Sequence, residues 1–104
     1  MIVRRWRATA DDERKYVRHF RRRVLPELMR IAGFNGVLIL RRRRKATVGI
    51  EVLTFWTSMA SIRRFARGDA DRAVVEPEAK AVLQRFDRRV RHYNVALALD
   101  MRRR

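Results

Sequence analysis

The chain has 104 residues, of which 27 are Lys or Arg and 11 are Asp or Glu, giving a formal charge of +16. That length allows one domain, and an apolar fraction of 47% argues for a packed core rather than a disordered chain. With no cysteine, a disulfide framework, a thiolate zinc site and a thiol nucleophile are excluded; no apolar run reaches the roughly 18 residues that cross a bilayer.

Ile2 to Ala8 is short, β-branched and aromatic, and reads as a strand. Thr9 and Asp12 offer a helix start, with Asp11, Asp12 and Glu13 suited to the positive end of the dipole. Val17, Phe20 and Val24 then recur at helical spacing; Pro26 is expected to break or kink that helix, and Gly33 to terminate the segment after the kink. Phe34 to Leu40 reads as a second strand, Arg41 to Lys45 as a basic turn, and Val48 to Trp56 as a third strand completing a hairpin.

Thr57 and Ser58 can cap a short helix carrying Met59, Ile62, Phe65 and Ala66, closed by Gly68. Pro77 suits the first turn of a further helix, in which Ala79, Val82, Leu83 and Phe86 form an amphipathic stripe. Val90 to Leu99 reads as the last strand and Met101 to Arg104 as a solvated tail. The order β-α-β-β-α-β, with its second helical region split, predicts an α+β ferredoxin-like domain over 1–104: a four-stranded antiparallel sheet with helices on one face.

The third strand is apolar on both sides, with Val48, Ile50, Val52 and Trp56 on one and Leu53 and Phe55 on the other. The last strand repeats this, with Tyr93, Val95, Leu97 and Leu99 opposite Ala96 and Ala98. Helices cover only one face of such a sheet, so the other is expected to meet a second copy of the chain in a homodimer.

The basic residues are 24 arginines and only three lysines, spread over every segment. That distribution predicts non-specific attraction to polyanions rather than a dedicated nucleic-acid interface. The third strand also lacks the stacking-aromatic pattern of an RNA-recognition motif and places Glu51 within it. A soluble, cytoplasmic protein with no membrane partner is expected.

Leu53-Thr54-Phe55-Trp56-Thr57-Ser58, followed by Ile62, Phe65, Gly68 and Ala73, resembles the antibiotic biosynthesis monooxygenase superfamily of dimeric α+β barrels. Pro77-Glu78-Ala79 through Asp87 to His92-Tyr93 is similar to an uncharacterised branch of it, and Phe34-Asn35-Gly36 and the Trp6 strand fit the same template. The resemblance implies a homodimer with a cavity between sheet and helices. In some members that cavity oxidises small phenolic or quinol substrates with dioxygen, without metal, flavin or other cofactor. Other members degrade haem with a strand tryptophan, a helix histidine and a first-strand asparagine. Trp56 matches that tryptophan, but Val74, Val75 and Glu76 stand where the histidine would lie and the first strand has no asparagine, so haem is expected to bind poorly.

Within that template His92 is the candidate proton acceptor, because imidazole titrates near neutrality, and Asn94, two residues on, is the candidate donor to a substrate oxyanion. Trp56, Trp6 and Phe20 are candidate pocket walls, although core packing explains Trp56 equally well and is the better reading of Trp6. His19, among Arg18, Arg21, Arg22 and Arg23, is expected at the surface. Neither histidine has a carboxylate at paired helical spacing, so no metal site is expected. Asp69 and Asp71 read as caps of the following helix. The alternative to an enzyme is a ligand-binding or structural barrel without catalysis.

Overall fold

In a computed structural model, residues 1–100 are described; the expected solvated tail, Met101 to Arg104, lies outside the described residues. The elements are β1 (Ile2–Ala10), α1 (Glu13–His19), a π-helical segment (Phe20–Val24), α2 (Leu25–Met29), β2 (Phe34–Arg44), β3 (Thr47–Trp56), α3 (Met59–Ala66), α4 (Pro77–Val82), β4 (Arg85–Phe86) and β5 (Arg91–Asn94). The sheet is antiparallel with order β2-β3-β1-β4, and β5 continues along the same edge of β1 as β4. This is the α+β, ferredoxin-like arrangement that the order of elements predicts.

Alternation along β1 and β3 sorts residues by face. Trp6, Ala8 and Ala10 on β1 and Val48, Ile50, Val52 and Trp56 on β3 are buried, together with Tyr16 and Phe20 of the first helical run, Leu28 of α2, and Ile62 and Phe65 of α3. The opposite face carries Val3, Leu53 and Phe55, with Leu38, Leu40 and Tyr93 exposed. Register places Val3 beside both Phe55 and Tyr93, and Leu53 beside Leu38, so these residues form one patch.

Several local expectations are corrected. Asp12, not Thr9, caps α1, its carboxylate accepting from the Arg14 N–H at 2.9 Å. Pro26 does not end the helix. The chain widens into the π-helical segment just before it, where the Leu25 N–H reaches the Phe20 carbonyl five residues back, and this altered register accommodates a ring that would otherwise clash with the preceding turn. The run Arg41 to Arg44 is strand rather than turn, paired through Arg44 with Thr47, and the hairpin closes at Lys45-Ala46 alone. Arg41 is tied to buried Glu13 at 2.6 Å, which neutralises part of the like-charge run.

The helix at Pro77 stops at Val82. Leu83 is already extended and Phe86 belongs to β4, so the helical spacing of those two apolar residues is incidental. The last strand is likewise shorter than Val90 to Leu99: only Arg91–Asn94 pairs, and Leu97 and Leu99 are 86% and 76% exposed. The Asp87 carbonyl, in the gap between β4 and β5, accepts the Trp6 indole N–H at 2.7 Å, and the Asp87 N–H donates to the Arg7 carbonyl.

Gly33 is required where α2 turns into β2. It has φ +96°, and a Cβ there would lie 2.2 Å from the Ser61 hydroxyl oxygen of α3.

Candidate functional site

The layer between sheet and first helical run encloses a cavity of about 40 Å³, lined by Arg4 and Trp6 of β1, Tyr16, Phe20 and Val24, Leu28, Val52 and Thr54 of β3, Phe65, Val74 and Val90. Its walls are aromatic and aliphatic, and one formal charge borders it. A larger concavity of about 540 Å³ lies over β1, β3 and β2 among Arg5, Arg7, Arg42, Arg44 and Glu51. That one follows the sheet's exposed curvature and contains no buried polar group suited to chemistry.

Arg4 is 4% exposed. Its guanidinium donates to the Ala70 carbonyl at 2.6 Å and the Arg72 carbonyl at 2.7 Å, and stacks over Phe65 with 5.7 Å to the ring centroid. Burial pulls its pKa down from 12.5 to about 10, with Asp71 and then Asp69 opposing the shift. A charge kept where desolvation penalises it makes Arg4 a candidate functional group, beside its structural role in holding the Ala70 and Arg72 carbonyls.

His92 of β5 pairs with Arg4 across the sheet. Its side chain is 14% exposed, its Nδ1 lies 3.4 Å from the Asp71 carboxylate, and its Nε2 is buried without a hydrogen-bond partner. An N–H at Nδ1 directed at Asp71 leaves the Nε2 lone pair free, the tautomer a general base requires. Burial, and then the Arg4 charge, lower the His92 pKa, so the neutral form prevails at pH 7. Local sequence gives Asp71 no mark of this role. It lies 21 positions upstream in the loop between α3 and α4, and its backbone N–H is fixed by the Asp69 carboxylate at 3.1 Å.

The other expected site residues divide. Trp6 and Phe20 line the cavity, and Tyr16, stacked on Trp6 at 5.5 Å, completes that wall. Trp56 is wholly buried between Phe34 and Phe65 and is not a lining residue; its indole N–H donates at 2.8 Å to the Thr54 hydroxyl, which is. Neither His92 nor Asn94 lines the cavity. His92 stands beside Arg4 one strand out, whereas Asn94 is exposed at the end of β5.

His19 departs from its expected surface position. Its side chain is only 8% exposed, with Nδ1 3.5 Å from the Glu78 carboxylate and Nε2 3.9 Å from that of Glu76. The carboxylates come from α4 and its N-cap, more than 50 positions away in sequence, which helical spacing does not reveal.

No family model matches the sequence, and no curated protein matches it. Solved structures do match its fold. SnoaB, a cofactor-independent oxygenase from Streptomyces nogalater, superposes with a TM-score of 0.62 at 15% identity, covering 94% of each chain. A Bacillus cereus protein assigned as an antibiotic biosynthesis monooxygenase gives 0.59 at 13% identity, over 96% of this chain and 95% of its own. A MhuD variant with two manganese protoporphyrin IX molecules bound per active site gives 0.59 at 17% identity, over 94% of this chain and 98% of its own. The chain therefore has the fold of antibiotic-biosynthesis-monooxygenase-type proteins.

Proposed function

We propose that this protein is an oxygenase acting with dioxygen on a small phenolic or quinol substrate, and that it works as a homodimer. The observation that carries this reading is a buried cation at the lining of an aromatic-walled cavity, Arg4, with an oriented neutral base next to it on the neighbouring strand: His92, held by Asp71 just outside the lining. Similarity in fold to SnoaB supports the same reaction class.

In this mechanism the widening that admits the substrate brings its hydroxyl to His92 Nε2, which accepts the proton while the Arg4 guanidinium stabilises the phenolate. Asn94, exposed at the strand end, meets the substrate only if the ligand reaches the edge of the sheet. The deprotonated quinol is its own reductant. One atom of dioxygen becomes a new ring oxygen, the other leaves as water, and the quinol becomes the hydroxyquinone.

A cavity of about 40 Å³ holds little more than one water molecule. Substrate entry therefore requires widening, for which the π-helical segment and the irregular stretch carrying Val74 are the natural places: Phe20 and Val24 lie on one, Val74 on the other, and all three line the cavity. Trp56 then acts by positioning Thr54 rather than by touching substrate. The porphyrin of the MhuD structure is a poorer fit, because Val74, Val75 and Glu76 provide no histidine ligand.

The dimer is supported by the uncovered patch of Val3, Leu38, Leu40, Leu53, Phe55 and Tyr93. Its burial must outweigh repulsion between two chains of +16 each, so high salt is expected to tighten association. An oxygen-electrode screen of quinols and polyphenols, with sedimentation on the same sample, tests both parts. Oxygen uptake and a dimer are expected; a folded monomer at micromolar concentration removes the dimer, and ligand binding without uptake leaves a binding barrel instead of an enzyme.

A further inference from the structure

Among the described residues, one cluster has the composition of a transition-metal site: His19, Glu76 and Glu78. One ligand atom from each lies within 4.8 Å of the others. Donors bonded at about 2.0–2.1 Å around a tetrahedral ion sit roughly 3.3 Å apart, so closure of an ångström or so is required. Glu78 is 60% exposed and Glu76 33%, and both side chains have freedom to make that adjustment, whereas His19 is fixed in α1 against Tyr16.

Nearby acids alone are common on surfaces. The second observation is the imidazole itself. Its side chain is 8% exposed, its Nε2 has no hydrogen-bond partner, and that atom lies 3.9 Å from the Glu76 carboxylate, a gap too long for a hydrogen bond and wide enough for a bridging ion, while Glu78, now nearer Nδ1 at 3.5 Å, has to swing toward Nε2 to share it. A buried donor-acceptor atom left unpartnered calls for a ligand. Among the described residues, Arg23, whose Nε lies 3.6 Å from Glu78, is the one positive side chain in direct contact that competes for the carboxylates. The net charge of +16 acts over distances that salt screens, while the cluster acts at bonding range.

We propose that His19, Glu76 and Glu78 form a binding site for a divalent transition-metal ion, with zinc the best match. One imidazole nitrogen and two carboxylate oxygens suit zinc and its neighbours, whereas calcium and magnesium demand more oxygen ligands and no nitrogen. With three protein ligands the remaining position is open to water, on the side where Glu78 is exposed. The ion bridges α1 and the start of α4.

The test is titration of the purified chain with zinc, followed by calorimetry at pH 7.5 and physiological salt, and with cobalt, followed by its visible d–d absorption. One ion per chain is expected, and His19→Gln and Glu78→Gln should each weaken zinc binding at least tenfold and abolish the cobalt band. Zinc should also raise the melting temperature of the wild-type chain by several degrees while leaving that of Glu78→Gln unmoved. Glu78→Gln changes an exposed side chain and keeps the test valid if His19→Gln fails to fold. The proposal is overturned if the wild-type chain takes up no stoichiometric zinc, if folded Glu78→Gln binds it equally well, or if His92→Gln alone abolishes binding.

Discussion

Replacing Arg4 by methionine separates a charge kept for chemistry from one kept for structure. Holding the guanidinium's pKa at about 10 instead of 12.5 means that its charged form is disfavoured in the fold by about 3 kcal/mol, at roughly 1.4 kcal/mol per pKa unit. Methionine removes that penalty while retaining an unbranched chain against Phe65. It also leaves the Ala70 and Arg72 carbonyls without their donors, at about 1–3 kcal/mol each. The two effects oppose one another, so urea unfolding should place Arg4→Met between about 1 kcal/mol more stable and about 3 kcal/mol less stable than wild type. Turnover should fall by about a hundredfold or more, the usual consequence of losing a preorganised oxyanion donor. A loss of stability above about 4 kcal/mol, or unchanged turnover in the folded variant, would make Arg4 a strut for the 67–76 segment rather than a group kept for chemistry.

Two further outcomes rest on particular residues. The His92 pKa is lowered in the fold by burial and by Arg4, so below the unfolded value of 6.5 the unfolded chain binds more protons there. This contribution is fully present above pH 6.5 and is lost as pH falls from there through the lowered folded value, so unfolding midpoints should decline over that window and decline less in His92→Gln. Gly33→Ala combines a left-handed backbone with a Cβ 2.2 Å from the Ser61 hydroxyl oxygen, and should cost about 2–4 kcal/mol in urea unfolding; a loss below about 1 kcal/mol would show that the α2–β2 turn yields.

The sheet was legible because alternation is strict: every second residue from Val48 to Trp56 is buried, and the sequence shows apolar residues on both sides of that strand. The ends of elements were less so. The arginine run at 41–44 looks like a solvated tip until its pairing with β3 and the Arg41–Glu13 contact are known, both of which depend on tertiary structure. Phe86 falls at helical spacing after Ala79 by coincidence, and only the β1 edge recruits it into a strand. The site was half legible. Trp6 and Phe20 are apolar residues at interpretable positions, and His92 stands out in an apolar stretch. Arg4, one of 24 arginines, carries no local mark of burial, and Asp71 reads as a cap. The association of His19 with Glu76 and Glu78 arises from packing α1 against α4, which no local pattern encodes.

Whether the Asp71-oriented His92 beside Arg4 acts as the base of an oxygenase site is decided by oxygen uptake of wild type and His92→Gln on a responsive quinol, measured across pH. Wild-type kcat/KM should rise with pH through a value below 6.5 and then level, and folded His92→Gln should show turnover reduced about a hundredfold or more with that pH step gone. Undiminished turnover with an unchanged pH profile in His92→Gln would contradict that role.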